Sequence, residues 1–387
     1  METVNKEENL DSIEEDIVKK PMILFELNDD CLLHVFSFCT YSHLCILEKV
    51  CTRFEDLVDL YYRTLTTIDM RFTNIDYLDL ANMTKRSRQS LKTLKISLES
   101  LRLPNAYRSY ICCILKYCKN LKHLYLIDFN LKTKSFNQTL SENMLTLETV
   151  KFVDCNVSDS IRSAFEQCKK LKSVHLANCE IKGTCLTALS NLTAVSLKNC
   201  TQMHAEPFIE FCKNNSTLRS LKLLNFDRLN QKCLNTIASD LVNLETLQIY
   251  QKIRLPGTDT YYLDFSVLNK LKNLTRVKVD VSSPSLRIFL EHLVQYNRLQ
   301  YLTLGDRAAT QDILTVLPKI KTLKSFIQDG NKDLLNFTDD ILNGISCKHC
   351  LEEIKVRSSV LSGEAVIRFQ QDCKKLKILN FVMKSKY

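Results

Sequence analysis

Residues 168–181 read CKKLKSVHLANCEI, two cysteines eleven positions apart around a run of alternating aliphatics. The phrase returns as CKNLKHLYLIDFNL from Cys118 and as CKKLKILNF from Cys373. In the copy from Cys118, the position equivalent to Cys179 is Phe129. A phenyl ring neither binds zinc nor forms a disulfide, so the position calls for an apolar filler. Cys168 and Cys179 are therefore read as core residues of a repeat, and the repeat must be settled before anything else.

Runs of the form Leu-x-x-Leu-x-Leu start at Leu65, Leu91, Leu121, Leu147, Leu171, Leu192, Leu218, Leu244, Leu274, Leu299, Leu323, Leu351 and Leu376, at intervals of 21 to 30 residues. Eight residues after the first Leu comes Cys155, Cys179 or Cys200, or else Phe129 or Phe226. Side chains alternate along a strand, so the x-L-x-L portion turns one set inward and the other outward. The intervening segment predicts a returning helix. In SDSIRSAFEQCKKL, Ser158 or Asp159 can cap, and Ile161, Ala164, Phe165 and Cys168 fall on one face. A unit this short cannot bury its own apolar face, so the units must stack. The pattern resembles the leucine-rich repeat, L-x-x-L-x-L-x-x-N/C-x-L. That resemblance implies an α/β solenoid of about 13 units over residues 64–387, a horseshoe with parallel strands concave and helices convex. The units at Leu274 and Leu323 fit least well, the second because Phe326 is followed by Ile327 and Gln328.

Composition narrows the function classes. Of 387 residues, 45% are hydrophobic and 25% charged, with only six Gly and six Pro, so a large core is affordable and long flexible linkers are not expected. The seventeen cysteines are odd in number and sit mostly on apolar faces. The N-terminus, METVNKEENLDSIEEDIVKK, lacks the apolar core of a signal peptide. Both point to reduced thiols in an intracellular chain, cytoplasmic or nuclear, with the Asn-x-Ser/Thr matches at Asn191 and Asn273 read as chance. No run of eighteen apolar residues exists, so no membrane partner is expected. Residues 1–20 carry seven acids and three bases, which leaves +13 of the net +9 on the remainder (9 plus 4). This suits an acidic partner surface and falls short of a nucleic-acid-binding charge. Residues 1–21 are read as a disordered tail.

Residues 22–63 break the period. Asn28 or Asp29 can cap a short helix carrying Leu32, Leu33 and Phe36, and Ser42 can cap a second with Leu44, Leu47, Val50, Cys51, Phe54 and Leu57 at helical spacing. So few residues make a poor core alone, and the leftover apolar positions suggest docking to another helical protein. The segment resembles the F-box, L-P-x-E-x-L-x-x-I-F-x-x-L followed by spaced leucines and V-C-x-x-W. Matching residues are Leu27, Asp30 in place of Glu, Leu32, Val35, Phe36, Leu44, Leu47, Val50, Cys51 and Arg53. Asn28 stands for Pro, Cys39 for Leu and Phe54 for Trp.

An F-box directly before a cysteine-bearing leucine-rich array resembles the F-box/leucine-rich-repeat family of substrate receptors. The resemblance implies an adaptor without chemistry or cofactor of its own. Its F-box would dock the adaptor subunit of an SCF ubiquitin ligase, through it the cullin and RING subunits, and its repeats would hold a protein substrate for ubiquitination and proteasomal degradation. The rate gain is one of proximity. Candidate adaptor-binding residues are Leu27, Leu32, Leu33, Val35, Phe36, Leu44, Leu47 and Phe54. The outward strand position runs Lys95, Tyr125, Lys151, His175, Ser196, Lys222, Gln248, Lys278, Thr303, Lys355 and Asn380, with Tyr250 and Arg357 two residues further along their strands. Its lysines and aromatics fit an acidic or phosphorylated substrate segment, although lysine also keeps an exposed sheet soluble. The substrate-binding candidates are Lys95, Tyr125, Lys151, His175, Lys222, Tyr250, Lys278, Lys355 and Arg357.

Competing chemistry finds less support. The CKHC at 347–350 has no second ligand pair at finger spacing, no Gly-rich phosphate loop is present, and His175 as a nucleophile's base would sit on the outward strand face. The alternative from another class is a leucine-rich scaffold or inhibitor whose N-terminal helices merely cap the solenoid.

Overall fold

The computed structural model describes residues 24–73, 75–102, 111–143, 145–250, 263–330 and 337–382, and it divides into two compact units, 1–64 and 65–387. The expected tail at 1–21 lies outside the described residues. Among those described, no helix is long and apolar enough to cross a membrane.

The first unit is all-helical. A 3-10 turn, Leu24–Glu26, leads into α1 (Asp29–Ser37), α2 (Tyr41–Leu47) and α3 (Thr52–Thr64). The Asn28 side chain accepts the Cys31 N–H at 2.8 Å, so the residue that replaces the consensus proline starts α1 by capping it. Ser42 does not cap the second helix: α2 begins two residues earlier than that cap would place it, with Thr40 as N-cap accepting from His43 N at 3.4 Å. Thr40 directly precedes the first helical residue, which leaves Ser42 already inside the helix.

The second unit is one thirteen-stranded parallel sheet in strict chain order. Its strands are β1 (Thr67–Met70), β2 (Thr93–Ser97), β3 (His123–Ile127), β4 (Thr149–Val153), β5 (Ser173–Ala177), β6 (Ala194–Lys198) and β7 (Ser220–Leu224). It continues through β8 (Thr246–Tyr250), β9 (Arg276–Asp280), β10 (Tyr301–Gly305), β11 (Ser325–Asp329), β12 (Glu353–Arg357) and β13 (Ile378–Val382). A short parallel pair, Ile75–Asp76 with Leu101–Arg102, sits apart from it. Each strand follows one of the thirteen Leu starts. From β1 to β12 the second and fourth residues of each strand are buried, as with Leu124 and Leu126, Val150 and Phe152, or Val174 and Leu176, while Leu379 and Phe381 of β13 are half-buried. Burying each such side chain stabilises by roughly 1.5–3 kcal/mol, which no single unit could collect alone.

The returns are less uniform than the sequence predicts. Some are full helices, such as Ala205–Lys213, Gln231–Asp240 and Leu286–Gln295, whereas Thr184–Ala188 is a 3-10 turn. That turn falls in the shortest interval, the 21 residues from Leu171 to Leu192, where an α-helix has no room. Asp159 is not a helix cap either: its carboxylate accepts the N–H groups of Lys182 and Cys185, both at 2.8 Å, and so supports the turn of the following repeat. The unit at Leu274 forms a regular strand. The unit at Leu323 also does, but its pairing with β12 stops after three residues. Beyond that point the Gln328 side chain accepts the Arg357 N–H at 2.8 Å, taking over from the backbone ladder.

The residue after a strand repeatedly turns left-handed: Asp128, Asp154, Asn178, Asn199 and Asn225 have φ between 52° and 63°. Asp and Asn tolerate this region better than other side chains with a Cβ. The next residue is the buried Phe129, Cys155, Cys179, Cys200 or Phe226. Cys155, Cys179 and Cys200 donate their thiols to the carbonyls of Leu126, Phe152 and Leu176 at 3.4, 3.7 and 3.7 Å. Burial pushes the Cys155 thiol up to about 12 and that of Cys179 higher still. All seventeen cysteines are free thiols. In CKHC, Cys347 is buried and Cys350 donates to the Leu323 carbonyl at 3.4 Å, so both thiols serve the repeat.

Candidate functional surfaces

The helical unit is built around Phe54. Its ring stacks on Phe25 at 5.1 Å and meets Phe36 edge-on at 5.6 Å. Arg53, its neighbour, donates to the carbonyls of Phe25 (2.8 Å) and Leu27 (2.7 Å) and to the Asp29 carboxylate (2.7 Å). One guanidinium thus holds the entry turn against the start of α1. The eight residues expected to bind the adaptor are placed unequally. Leu32, Phe36, Leu44 and Phe54 are interior, Leu27, Leu33 and Leu47 are half-buried, and Val35 is 37% exposed. The interior four fix the shape of the unit, and a partner can reach them only through the residues that cover them. The large apolar side chains left in solvent include Phe38 (77% exposed), Ile46 (63%) and Val50 (48%). The first two belong to no consensus position quoted above. Phe38 lies just past the end of α1, where helical spacing carries no information about exposure.

On the sheet, the predicted outward column is continuous. Lys95, Tyr125, Lys151, His175, Ser196 and Lys222 are register partners across β2–β7. The column continues through Gln248 and Lys278 on β8 and β9, and Lys355 pairs with Asn380. Near one end, Asp69 accepts from both Arg71 (2.8 Å) and Lys95 (3.2 Å), and the Arg71 hydrogen bond holds the Asp69 carboxyl below its usual range. Lys95 also lies over the Tyr125 ring at 5.6 Å. Arg71, Lys95, Tyr125, Ile127, Lys151 and Val153 line a recess of about 370 Å³. Further along, Lys278 pairs with Asp329 and covers the Tyr250 ring at 5.5 Å, and Lys355 pairs with Glu353 at 2.7 Å. His175 is half-buried and its ring Nε2 meets Ser173 Oγ at 2.9 Å. Burial, then Lys151 and Lys222, keep its pKa below the ordinary value. Arg357 lies outside that column, two residues beyond Lys355 and in register with Val382 on β13. Among the described residues, no group of three His, Cys, Asp or Glu side chains could hold a metal ion.

Comparison with known proteins follows this division. The F-box domain model matches residues 24–65. An RPP13-like protein 2 from Arabidopsis thaliana is 29% identical over 202 residues, 51% of this chain and 22% of the relative. The NACHT, LRR and PYD domains-containing protein 9 of Bos taurus is 27% identical over 188 residues, 44% of this chain and 18% of the relative. The chain therefore spans about a fifth of the length of these curated relatives. Among solved structures, a chain of the yeast Rad7 and Elc1 complex superposes with a TM-score of 0.51 at 15% identity, over 92% of this chain and 88% of that one. The chain thus joins a segment that matches the F-box domain to a parallel-sheet solenoid of leucine-rich units.

Proposed function

We propose that the chain is the substrate-recognition subunit of an SCF-type ubiquitin ligase. The helical unit docks the adaptor, and the outward face of the repeat sheet holds a protein destined for ubiquitination and degradation. The observation that carries this reading is the F-box match over 24–65 on a unit that leaves Phe38, Ile46 and Val50 in solvent. Exposed large apolar side chains on so small a unit are a cost unless a partner covers them. The yeast structural neighbour is a complex of Rad7 with Elc1, which is in keeping with a partner protein for this fold. In this reading the chain contributes binding and placement, with bond-making left to the cullin-bound machinery.

The test is binding of the purified chain to a purified SCF adaptor subunit by calorimetry. Because Phe36 is buried, the informative variants are Phe38→Asp and Ile46→Asp, which alter surface and spare the interior. Loss of a true anchor weakens binding by about 2 kcal/mol or more, roughly thirtyfold in Kd. A folded wild-type chain that does not bind the adaptor overturns the receptor reading.

A further inference from the structure

The outward face of the sheet is not uniform in charge. Each strand of β3–β7 presents its first, third and fifth residues, three on each of five strands, fifteen positions in all. None of the fifteen is Asp or Glu, while Lys151, Lys198, Lys222, His123 and His175 are among them. Those three lysines make no ion pair among the described residues. Across β8–β12 the same positions carry both signs, and five of their charges are paired: Lys278 with Asp329, Lys355 with Glu353, and Asp280 with Arg307 of the turn after β10 at 3.1 Å. Acids flank this face in sequence and stand outside its fifteen positions: Asp128 and Asp154 in the turns after β3 and β4, and Glu148 before β4, bonded to Lys122 at 2.8 Å.

We propose that the β3–β7 face seats an extended, carboxylate-rich segment of the substrate protein, with Lys151 and Lys222 on either side of His175 as its main contacts. The proposal rests on the receptor reading and narrows it to a substrate class. Lys151 and Lys222 are three strands apart, about 14 Å at ordinary strand spacing, which about four extended residues span. The face between them holds small and hydroxyl side chains, Ser173, Ala194 and Ser196, over which a backbone can lie flat. It has no arginine. The planar fork suited to bidentate phosphate recognition is missing, and separate lysine point charges match a run of carboxylates better. Nucleic acid fits less well, because a duplex brings a phosphate every ~1.7 Å and three lysines would neutralise few of them.

The experiment is fluorescence anisotropy of the full chain with a fluorescein-labelled decapeptide of alternating Glu and Ser, with its Gln counterpart and a single-stranded decadeoxynucleotide alongside. The expected result is binding of the Glu peptide only, reduced at least tenfold by Lys151→Glu with Lys222→Glu. Lys213→Glu with Lys232→Glu, the same charge change on the helical returns, should leave it intact. His175 serves as an internal reporter. Lys151 on β4, Ser196 on β6 and Lys222 on β7 surround it, with Ser173 on its own strand, and its pKa by NMR should rise when the peptide neutralises the lysines. Equal binding of the Gln peptide, retention by the double variant, tighter binding of the oligonucleotide, or no binding at all would each overturn the proposal. Adaptor binding measured on the same preparations separates the two readings: its loss in wild type counts against the receptor, and its persistence without peptide binding counts only against the acidic segment.

Discussion

Asn215 is fully buried in the turn after the helix Ala205–Lys213, and it stitches that repeat to the one before. Its Oδ1 accepts the Leu192 N–H at 3.0 Å, and its Nδ2 donates to the carbonyls of Leu189 and Phe211, both at 2.9 Å. Replacing it with alanine strands the Leu192 N–H and the Leu189 carbonyl in the interior. The Phe211 carbonyl keeps the Asn214 N–H at 3.2 Å. Each buried group left without a partner costs about 1–3 kcal/mol, so Asn215→Ala should lose about 4 kcal/mol, a large share of a domain's usual stability. The neighbouring Asn214 makes one exposed side-chain bond, to Thr187 O at 3.2 Å, and Asn214→Ala should lose about 1 kcal/mol or less. Asn215→Asp keeps the acceptor but sets a carboxylate against two carbonyl oxygens, and it should be at least as damaging as alanine. Guanidinium unfolding followed by far-UV circular dichroism reads all three. If Asn215→Ala and Asn214→Ala shift the midpoint equally, the account of the inter-repeat stitch is wrong.

Three other outcomes are expected. A Cβ at Gly305 would lie 2.2 Å from Asp280 Cγ, and Asp280 is pinned by the Arg307 N–H and guanidinium, so Gly305→Ala should cost about 2 kcal/mol or more in a thermal melt, while Gly363→Ala, with nothing within 4 Å, should not destabilise. Burial raises the thiols of Cys118 and Cys347 to about 12 and that of Cys200 to about 11 from an ordinary value of 9.0; the unfolded chain therefore releases their protons first, and stability present below pH 9 should fall as pH climbs through 11–12. The slope is about 1.4 kcal/mol per pH unit per thiol, and Cys200→Ala should flatten a denaturation series taken between pH 8 and 11. Arg53→Ala should weaken adaptor binding and lower the stability of the helical unit by about 1–3 kcal/mol, chiefly through the two lost carbonyl bonds, since the exposed pair with Asp29 adds little. Arg53→Lys should not restore either, as read by calorimetry and by proteolysis of the unit.

The strands were legible because their signal is local and thirteenfold: an inward-outward alternation that recurs at each Leu start needs no knowledge of distant contacts. The caps were less so. Ser42 and Asp159 are plausible caps by residue type, yet Thr40 wins the first position and Asp159 serves the next repeat, choices that tertiary geometry makes. The docking candidates in 27–54 followed a consensus that mixes interior with surface, so the reading gathered Leu32 and Phe36 and passed over Phe38 and Ile46. The asymmetry of charge along the sheet was present in the sequence all along, but it emerges only when three outward columns are compared in register. A single column shows lysines at Lys278 and Lys355 and hides the Asp329 and Glu353 that neutralise them.

The asparagines that follow the strands have a further property. Asn178 donates its amide to Asp154, Asn199 donates to Asn178, and Asn225 donates to Asn199. An amide can face its neighbour either way round, but a carboxylate only accepts. Asp154 therefore dictates which end of Asn178 it meets, and that choice is copied to Asn199 and then to Asn225. The file has a sense of direction written by one residue, carried across four repeats in which no two of its members share a turn of chain. Exchange Asp154 for asparagine and every atom needed for the same bonds remains, but the sense is no longer fixed: the whole row could run in either direction, with nothing in its first member to choose between them.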